Sequence, residues 1–348
     1  MMGSKNVVTM SVVAVTAVAL VGATARGGDF SKVGTAAAQF LKIGVGSRGT
    51  AMGDAFVAVA DGVDALAWNP SGIAGAQTVA VSASHAQWFA DIKHNFAGLV
   101  VPLGGDQALG LSVVQLGAPE QEVTTIDKPD GAGVYYDVND LALGISYARR
   151  LTDRFSVGIT AKYVQQTAFN ETANAFAVDL GTSLQTGFQG MVIAMSLANF
   201  GQNLKLEGRD LLSVSNPSAV LAGGAYSPNA NLSTEEWPLP LYFRIGVALD
   251  VVGGRDPFVA SDQHRITVAL AGDHPNDNVE RGSVGAEYGW SETFFIRAGY
   301  KFNYDVEKWT FGAGVAVAPG DQKVTFDFAL VDYGDLGKTS RFTVGIQF

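Results

Sequence analysis

Cysteine is absent from the 348 residues, which rules out a disulfide framework, a thiolate metal site and a cysteine nucleophile. Charge is also scarce: Asp, Glu, Lys and Arg make up 16% of the chain, against about a quarter in ordinary soluble domains. The charge that exists is acidic, 23 Lys plus Arg against 33 Asp plus Glu for a net −10, the wrong sign for a partner that presents phosphates. Nucleic acid is therefore not an expected partner. The four histidines, His85, His94, His264 and His274, are scattered, so no paired-histidine metal motif exists. No acid/base pair or nucleophilic triad can be assembled from the spacing either, and the chain reads as a non-enzyme with no catalytic residue, no metal site and no cofactor. Glycine, by contrast, is abundant, at 42 residues.

Long apolar runs are missing too, beyond a candidate leader. Lys5 precedes a mostly apolar stretch from Val7 to Val21, and Ala23-Thr24-Ala25 supplies a small-x-small end. Together these predict a secretory signal peptide over residues 1–25, cleaved after Ala25. A membrane anchor fits less well, because Thr9, Ser11 and Thr16 interrupt the stretch and it falls short of the roughly 20 apolar residues a spanning helix needs.

Two regions with different patterning follow. Within residues 26–76, the segment 30–75 looks locally helical: Thr50 to Ala60 is Ala-rich, and Asp61 and Asp64 are placed to cap a further short helix. From residue 77 to 348 the pattern becomes alternation. In Phe155 to Tyr163 the odd positions are apolar and the even ones small or polar, the period of a strand with two unlike faces. Leu141 to Tyr147, Phe176 to Gly181, Phe243 to Asp250 and Val324 to Leu330 repeat it. Fourteen such segments run from 77–86 to 339–348. Most connections on one side are short, as in Gly104-Gly105-Asp106 and Pro319-Gly320-Asp321, whereas the other side carries the long ones at about 118–137 and 201–238; residues 252–263 break the rule.

An even strand count, turns short at one end and long at the other, and so little charge predict an all-β fold: a 14-stranded antiparallel transmembrane β-barrel with a small N-terminal helical plug in its lumen. A secreted sandwich would need more charge on its outer faces. The apolar face of each strand is expected to point outward to lipid, with the small and polar face lining the lumen. Tyr147, Tyr163, Tyr288, Trp290, Tyr300 and Trp309 lie at strand ends, as interfacial aromatic girdles require. The last strand aligns Phe342, Val344, Ile346 and the terminal Phe348 on one face, which resembles the C-terminal signal read by barrel-assembly machinery. The expected location is the bacterial outer membrane after Sec export, with both termini periplasmic and outer-membrane lipids and lipopolysaccharide as surroundings.

A-M-G-D-A-F-V-A-V-A-D (residues 51–61) and A-W-N-P-S-G-I-A (residues 67–74), within a segment that starts at Thr35, resemble the PorV/PorQ family, part of the wider group of FadL-like outer-membrane proteins. The resemblance implies that the N-terminal segment is a hatch in the barrel. FadL-like proteins carry an Asn-Pro-Ala motif there; Asn69 and Pro70 match it, and Ser71 replaces the alanine. Physically, Asn69-Pro70 is a turn former that ends a helix at Trp68, and it has two readings, a plain turn or a gate. Arg48, Asp54, Asp61 and Asp64 are plug charges that can pair with lumen groups such as Lys162, Asp179, Arg244, Glu287, Arg297 and Asp327, which suits either an electrostatically latched plug or simply a wet interior.

Three decoys fail. Gly44-Val45-Gly46-Ser47-Arg48-Gly49 matches G-x-G-x-x-G with Asp64 about 20 residues on, but no alternation of strands and helices follows it. Ser47 lacks the glycine two residues before it that a nucleophile elbow needs. Asp127, Asp130 and Asp137 do not have the spacing of a calcium loop.

The resemblance implies a protein-binding component of a type IX secretion pathway, a shuttle or anchor that meets secreted proteins and translocon subunits through its loops. Leu232, Trp237 and Leu239 are apolar loop residues suited to such contacts. FadL-like transport of a hydrophobic small molecule, a fatty acid or a hydrocarbon, is the alternative, and a structural outer-membrane protein without cargo is the third.

Overall fold

The computed structural model describes residues 32–214 and 229–348. The expected leader, and the middle of the 201–238 loop, lie outside the described residues. Fourteen long strands form the wall, and we number them β1 to β14: Ala80–Gln87, Lys93–Gly104, Gln107–Gly117, Val138–Thr152, Phe155–Ala168, Glu171–Gln185, Val192–Gly201, Tyr242–Val252, His264–Pro275, Arg281–Trp290, Phe294–Phe302, Trp309–Val317, Lys323–Asp332 and Lys338–Gln347. Each pairs antiparallel with its neighbours in sequence, and the ring closes where β1 pairs β14 in register from Ala80↔Gln347 to Gln87↔Ser340. Closure leaves no sheet edge, the condition for strands to lie in hydrocarbon.

The direction of the two faces follows from burial. Outward positions carry large apolar side chains, among them Leu111, Ile145, Phe176, Ile296, Phe311 and Phe326, all exposed. Inward positions carry small or polar ones that are buried, such as Ser84, Ala148, Thr160, Ser196, Thr267 and Ser283. Trp290 stacks on Phe294 near the short-turn end, and Trp309 packs edge-on against Tyr300 near the long-loop end, so aromatic rings mark both rims. The 118–137 connection holds a two-residue ladder, Gln121–Glu122 against Tyr135–Tyr136, and leaves Ile126 and Tyr135 exposed. The irregular connection after β8 is tied back at two points: Val259 bridges Val252, and Phe258 meets Phe188 of the turn between β6 and β7.

Residues 33–76 lie inside the ring. The long helix expected over Thr50 to Ala60 does not form: one helical stretch, α1 (Ser47–Ala51), is followed by turns, because Gly53 (φ 66°) and Asp54 (φ 64°) take the left-handed conformation. A second short helix, α2 (Ala65–Trp68), leads into a 3-10 turn, Pro70–Gly75. Asp64 stands at the N-terminus of α2 without capping it, since its own backbone is already helical (φ −63°). Helical structure here comes from docking against the wall rather than from propensity, as expected for segments this short.

Candidate functional site

The seam between plug and wall is where chemistry collects. At its centre the Glu287 carboxylate, on the inner face of β10, is fully buried and receives three guanidinium groups. Arg48 of α1 approaches at 2.8 Å, Arg297 of β11 at 2.6 Å and Arg265 of β9 at 2.9 Å. Arg48 also holds Asp61 (2.7 Å), Arg265 holds Glu292 (2.7 Å) and Arg297 holds Asp327 (2.5 Å). The network therefore alternates sign, which a low-dielectric lumen demands of buried charges. A second latch lies toward the long loops, where Lys301 of β11 holds Asp54 (2.5 Å) and also Glu307. A third joins Lys42 to Asp277 at 2.8 Å, with Gln39 donating to the same carboxylate. Burial would push the Asp277 carboxyl up, but the hydrogen bonds from Lys42 and Gln39 and the Lys42 charge together hold it below its usual range.

The Asn69-Pro70-Ser71 turn is pinned by hydrogen bonds. Asn69 Nδ2 donates to the carbonyls of Val57 and of Thr182 on β6, while its Oδ1 accepts from the Ser71 amide and hydroxyl. Both ends of the buried amide are thus satisfied. The turn sits so close to the wall that a Cβ at Gly158 of β5 would lie 2.4 Å from the Pro70 carbonyl carbon, and one at Gly181 of β6 would lie 2.1 Å from Asn69 Oδ1. Trp68 donates from Nε1 to the Val45 carbonyl (2.8 Å), packs edge-on against Phe56, and is covered by the Arg244 guanidinium at 5.0 Å.

Asp64 behaves differently from the other plug carboxylates. It lies against the left-handed Gly46, its Oδ1 has no hydrogen-bond partner, and burial, reinforced by the Asp327 charge, pushes its carboxyl up to about 7. The glycines of the rejected nucleotide motif are packing sites, Gly49 for instance lying against Phe56 and Trp68.

The expected latch partners divide. Glu287 takes Arg48 directly, and Arg297 and Asp327 extend that contact. Arg244 stacks on the plug and approaches Asp273 at 3.9 Å. Lys162 and Asp179 instead pair with each other (2.7 Å) at a bulge between β6 and β7, where the Asn199 amide donates to Asp179 and Lys162 reaches the Asn199 side chain. Arg265, Lys301, Lys42 and Asp277 were not singled out by sequence reasoning. Arg265 and Lys301 do fall on the inward phase of their strands, a signal that could have found them.

At the long loops Leu232 and Trp237 are exposed, but Leu239 is buried (3%) and packs with Phe40, Val164 and Leu204. Leu239 is therefore corrected from a surface contact to a clamp over the plug; the adjacent Pro238 carbonyl accepts from the Ala37 amide at 3.0 Å. Among the C-terminal residues Phe342, Val344 and Phe348 face outward and exposed, with Ile346 half-buried. On the short-turn side of the plug lies a cavity of about 620 Å³ lined by Arg48, Asp61, Asp64, Arg265 and Asp327 among others.

A family model described as Type IX secretion system protein PorV matches residues 28–190, a span that takes in the plug and β1 to β6. No curated protein matches the sequence. Among solved structures, the CymD monoaromatic hydrocarbon channel is 14% identical with a TM-score of 0.56, over 87% of this chain and 96% of its own. The Pseudomonas putida toluene transporter TodX is 10% identical with a TM-score of 0.54, over 87% and 97%. A FadL homologue of Pseudomonas aeruginosa is 12% identical with a TM-score of 0.51, over 87% and 98%. These likenesses show the fold, a closed 14-stranded antiparallel barrel of the FadL-like kind.

Proposed function

We propose that this outer-membrane barrel, PorV-like over residues 28–190 and FadL-like in fold, is a protein-binding component of a type IX secretion pathway that holds or passes secreted proteins at its long-loop end. The family match carries this reading. It is supported by a plug tied to the wall through Glu287, Lys301 and Thr182, which suits a barrel that works through its outer surface rather than as an open conduit. In this reading residues 1–25 are the export leader, 26–76 the plug and 77–348 the barrel, with both termini periplasmic. Arg48, Asp54, Asp61, Trp68, Asn69, Pro70 and Ser71 keep the lumen shut. Leu232 and Trp237, with the exposed tip of the 118–137 loop, supply apolar contacts for the secreted chain. Phe342, Val344, Ile346 and Phe348 form the face read during barrel assembly. The work is binding, with no bond made or broken.

One observation favours a second reading, passage of a hydrophobic small molecule. Phe40, Leu204 and Leu239 build an apolar cluster with Val164 and the alanines of β6 beneath the 201–238 loop. Solved barrels of this fold include ones named as hydrocarbon or toluene carriers.

Extraction of the native protein from outer membranes in mild detergent, followed by mass spectrometry of the intact complexes, separates the two. Stoichiometric secreted or translocon polypeptides are the expected result. A recurrent hydrophobic molecule with no protein partner would overturn the secretion reading in favour of transport.

A further inference from the structure

Three adjacent strands bring a lysine, an aspartate and an asparagine to one point in the wall: Lys162 on β5, Asp179 on β6 and Asn199 on β7. A bulge makes the meeting possible. β6 and β7 pair as Val178↔Phe200 and next as Leu180↔Leu197, so Ala198 and Asn199 together face Asp179. Asn199 takes the left-handed backbone conformation there (φ 64°) and is buried, as is Asp179.

The contacts are those of an amine set against a carboxamide, with a base beside it. Lys162 Nζ lies 2.8 Å from Asn199 Oδ1 and 2.7 Å from Asp179 Oδ2. The carboxamide carbon is bonded to that Oδ1, which puts it no more than about 4 Å from Nζ, against the roughly 3–3.5 Å of a near-attack arrangement. Asn199 is held in place: its backbone amide donates to Asp179 Oδ1 at 2.7 Å, and its Nδ2 donates to the Pro240 carbonyl at 3.0 Å. Phe40, Trp68, Val114 and Ala142 line a small cavity of about 40 Å³ beside Lys162, and Pro240 is fully buried. In such surroundings an ion pair is costly to keep, and chemistry that removes both charges is favoured.

We propose that Lys162 and Asn199 condense into an intramolecular isopeptide bond, with Asp179 as the base. Asp179 takes one proton from the Lys162 ammonium, and the neutral Nζ attacks Asn199 Cγ. The Nζ–Cγ bond forms, the Cγ–Nδ2 bond breaks, and Nδ2 leaves as ammonia. Of the three protons on the ammonium, one stays on the new amide, one departs with the ammonia and one remains on Asp179, so neutral groups replace the ion pair. No oxidant or cofactor enters the balance. The product staples β5 to β7 across β6 and closes a covalent loop over residues 162–199. It is a single maturation event rather than a turnover, and it goes beyond the secretion reading without depending on it.

Mass spectrometry of the chain purified from outer membranes tests the assignment. The expected intact mass falls short of that of the mature sequence by one ammonia, about 17 Da. Digestion with trypsin and with a protease that cuts after glutamate should release residues 155–171 joined to residues 172–205. Lys162→Arg, which keeps the positive charge, should restore the full mass and separate the two peptides. Asp179→Asn, which keeps the shape and removes the base, should lower the cross-linked fraction at least about tenfold. The wild-type peptides carry the test whether or not these variants fold. Full mass with residues 155–162 released on their own would overturn the proposal, and so would an ammonia loss confined to 172–205, the mark of a cyclised asparagine. An undiminished cross-link in Asp179→Asn would overturn the role given to Asp179.

Discussion

Single side chains decide how firmly the plug is held. Glu287 takes three guanidinium groups in a buried site, so Glu287→Gln leaves them facing one another with no carboxylate between. Removing one partner of a buried pair costs about 3–5 kcal/mol. The midpoint of heat-modifiable unfolding should fall markedly for this variant and hardly at all for Asp106→Asn, which breaks the exposed pair with Arg150. Asp64 predicts the opposite sign. Its carboxyl titrates at about 7 in the folded chain and near 4 when unfolded, so the folded state holds the proton more tightly. The contribution of Asp64 to stability is therefore full below pH ~4 and falls by up to ~1.4 kcal/mol per unit as pH rises toward 7. Asp64→Asn should be more stable than wild type at pH 8, and the two should converge at pH 4 in thermal melts; a constant gap would sink the assignment. These differences were half legible in advance. Arg48, Asp54 and Glu287 could be picked out as charges in a chain that has few, but Asp64 looked like a helix cap, because sequence does not reveal that its carboxylate is turned against Gly46.

At the level of elements, the strands were readable because a wall with one apolar and one small or polar face imposes a period of two, broken only locally at bulges such as the one between β6 and β7. The plug was not readable in the same way. Ala-rich residues 50 to 60 favour helix locally, yet the wall at Gly299 and Tyr300 comes so close to Gly53 that the chain must turn there. Asn69 and Pro70 were recognisable as a turn, but the glycines that admit them lie on β5 and β6, more than eighty residues away in sequence. Gly158→Val places a side chain where the Pro70 backbone now sits, and overpacking of this kind costs about 1–3 kcal/mol. Limited trypsin digestion in detergent should then cut at Lys42 or Arg48, which are protected in wild type, while the barrel stays intact. On β14, Phe348→Ser removes the last outward aromatic and should lower the fraction assembled in the outer membrane severalfold; normal assembly would falsify the role given to that face.

At the largest scale, the described residues from Val33 to Phe348 form one ring around one insert. The intact protein should show β-rich circular dichroism and run faster on gels before boiling than after, and failure of both would count against the closed barrel. Contacts of the insert are spread around the circumference: Ser47 hydrogen-bonds Thr343 and the Arg341 carbonyl on β14, Ala51 accepts from Thr310 on β12, Asn69 reaches Thr182 on β6, and Leu66 fills the space left by Gly110 on β3. The seam between β1 and β14 joins the two ends of the sheet, the pairing with the greatest sequence separation and hence the slowest to find by chance. Because the insert precedes the fourteen strands of the wall in the chain and touches strands all round the ring, its position is that of a mandrel, a body that sets the radius to which the strands must close.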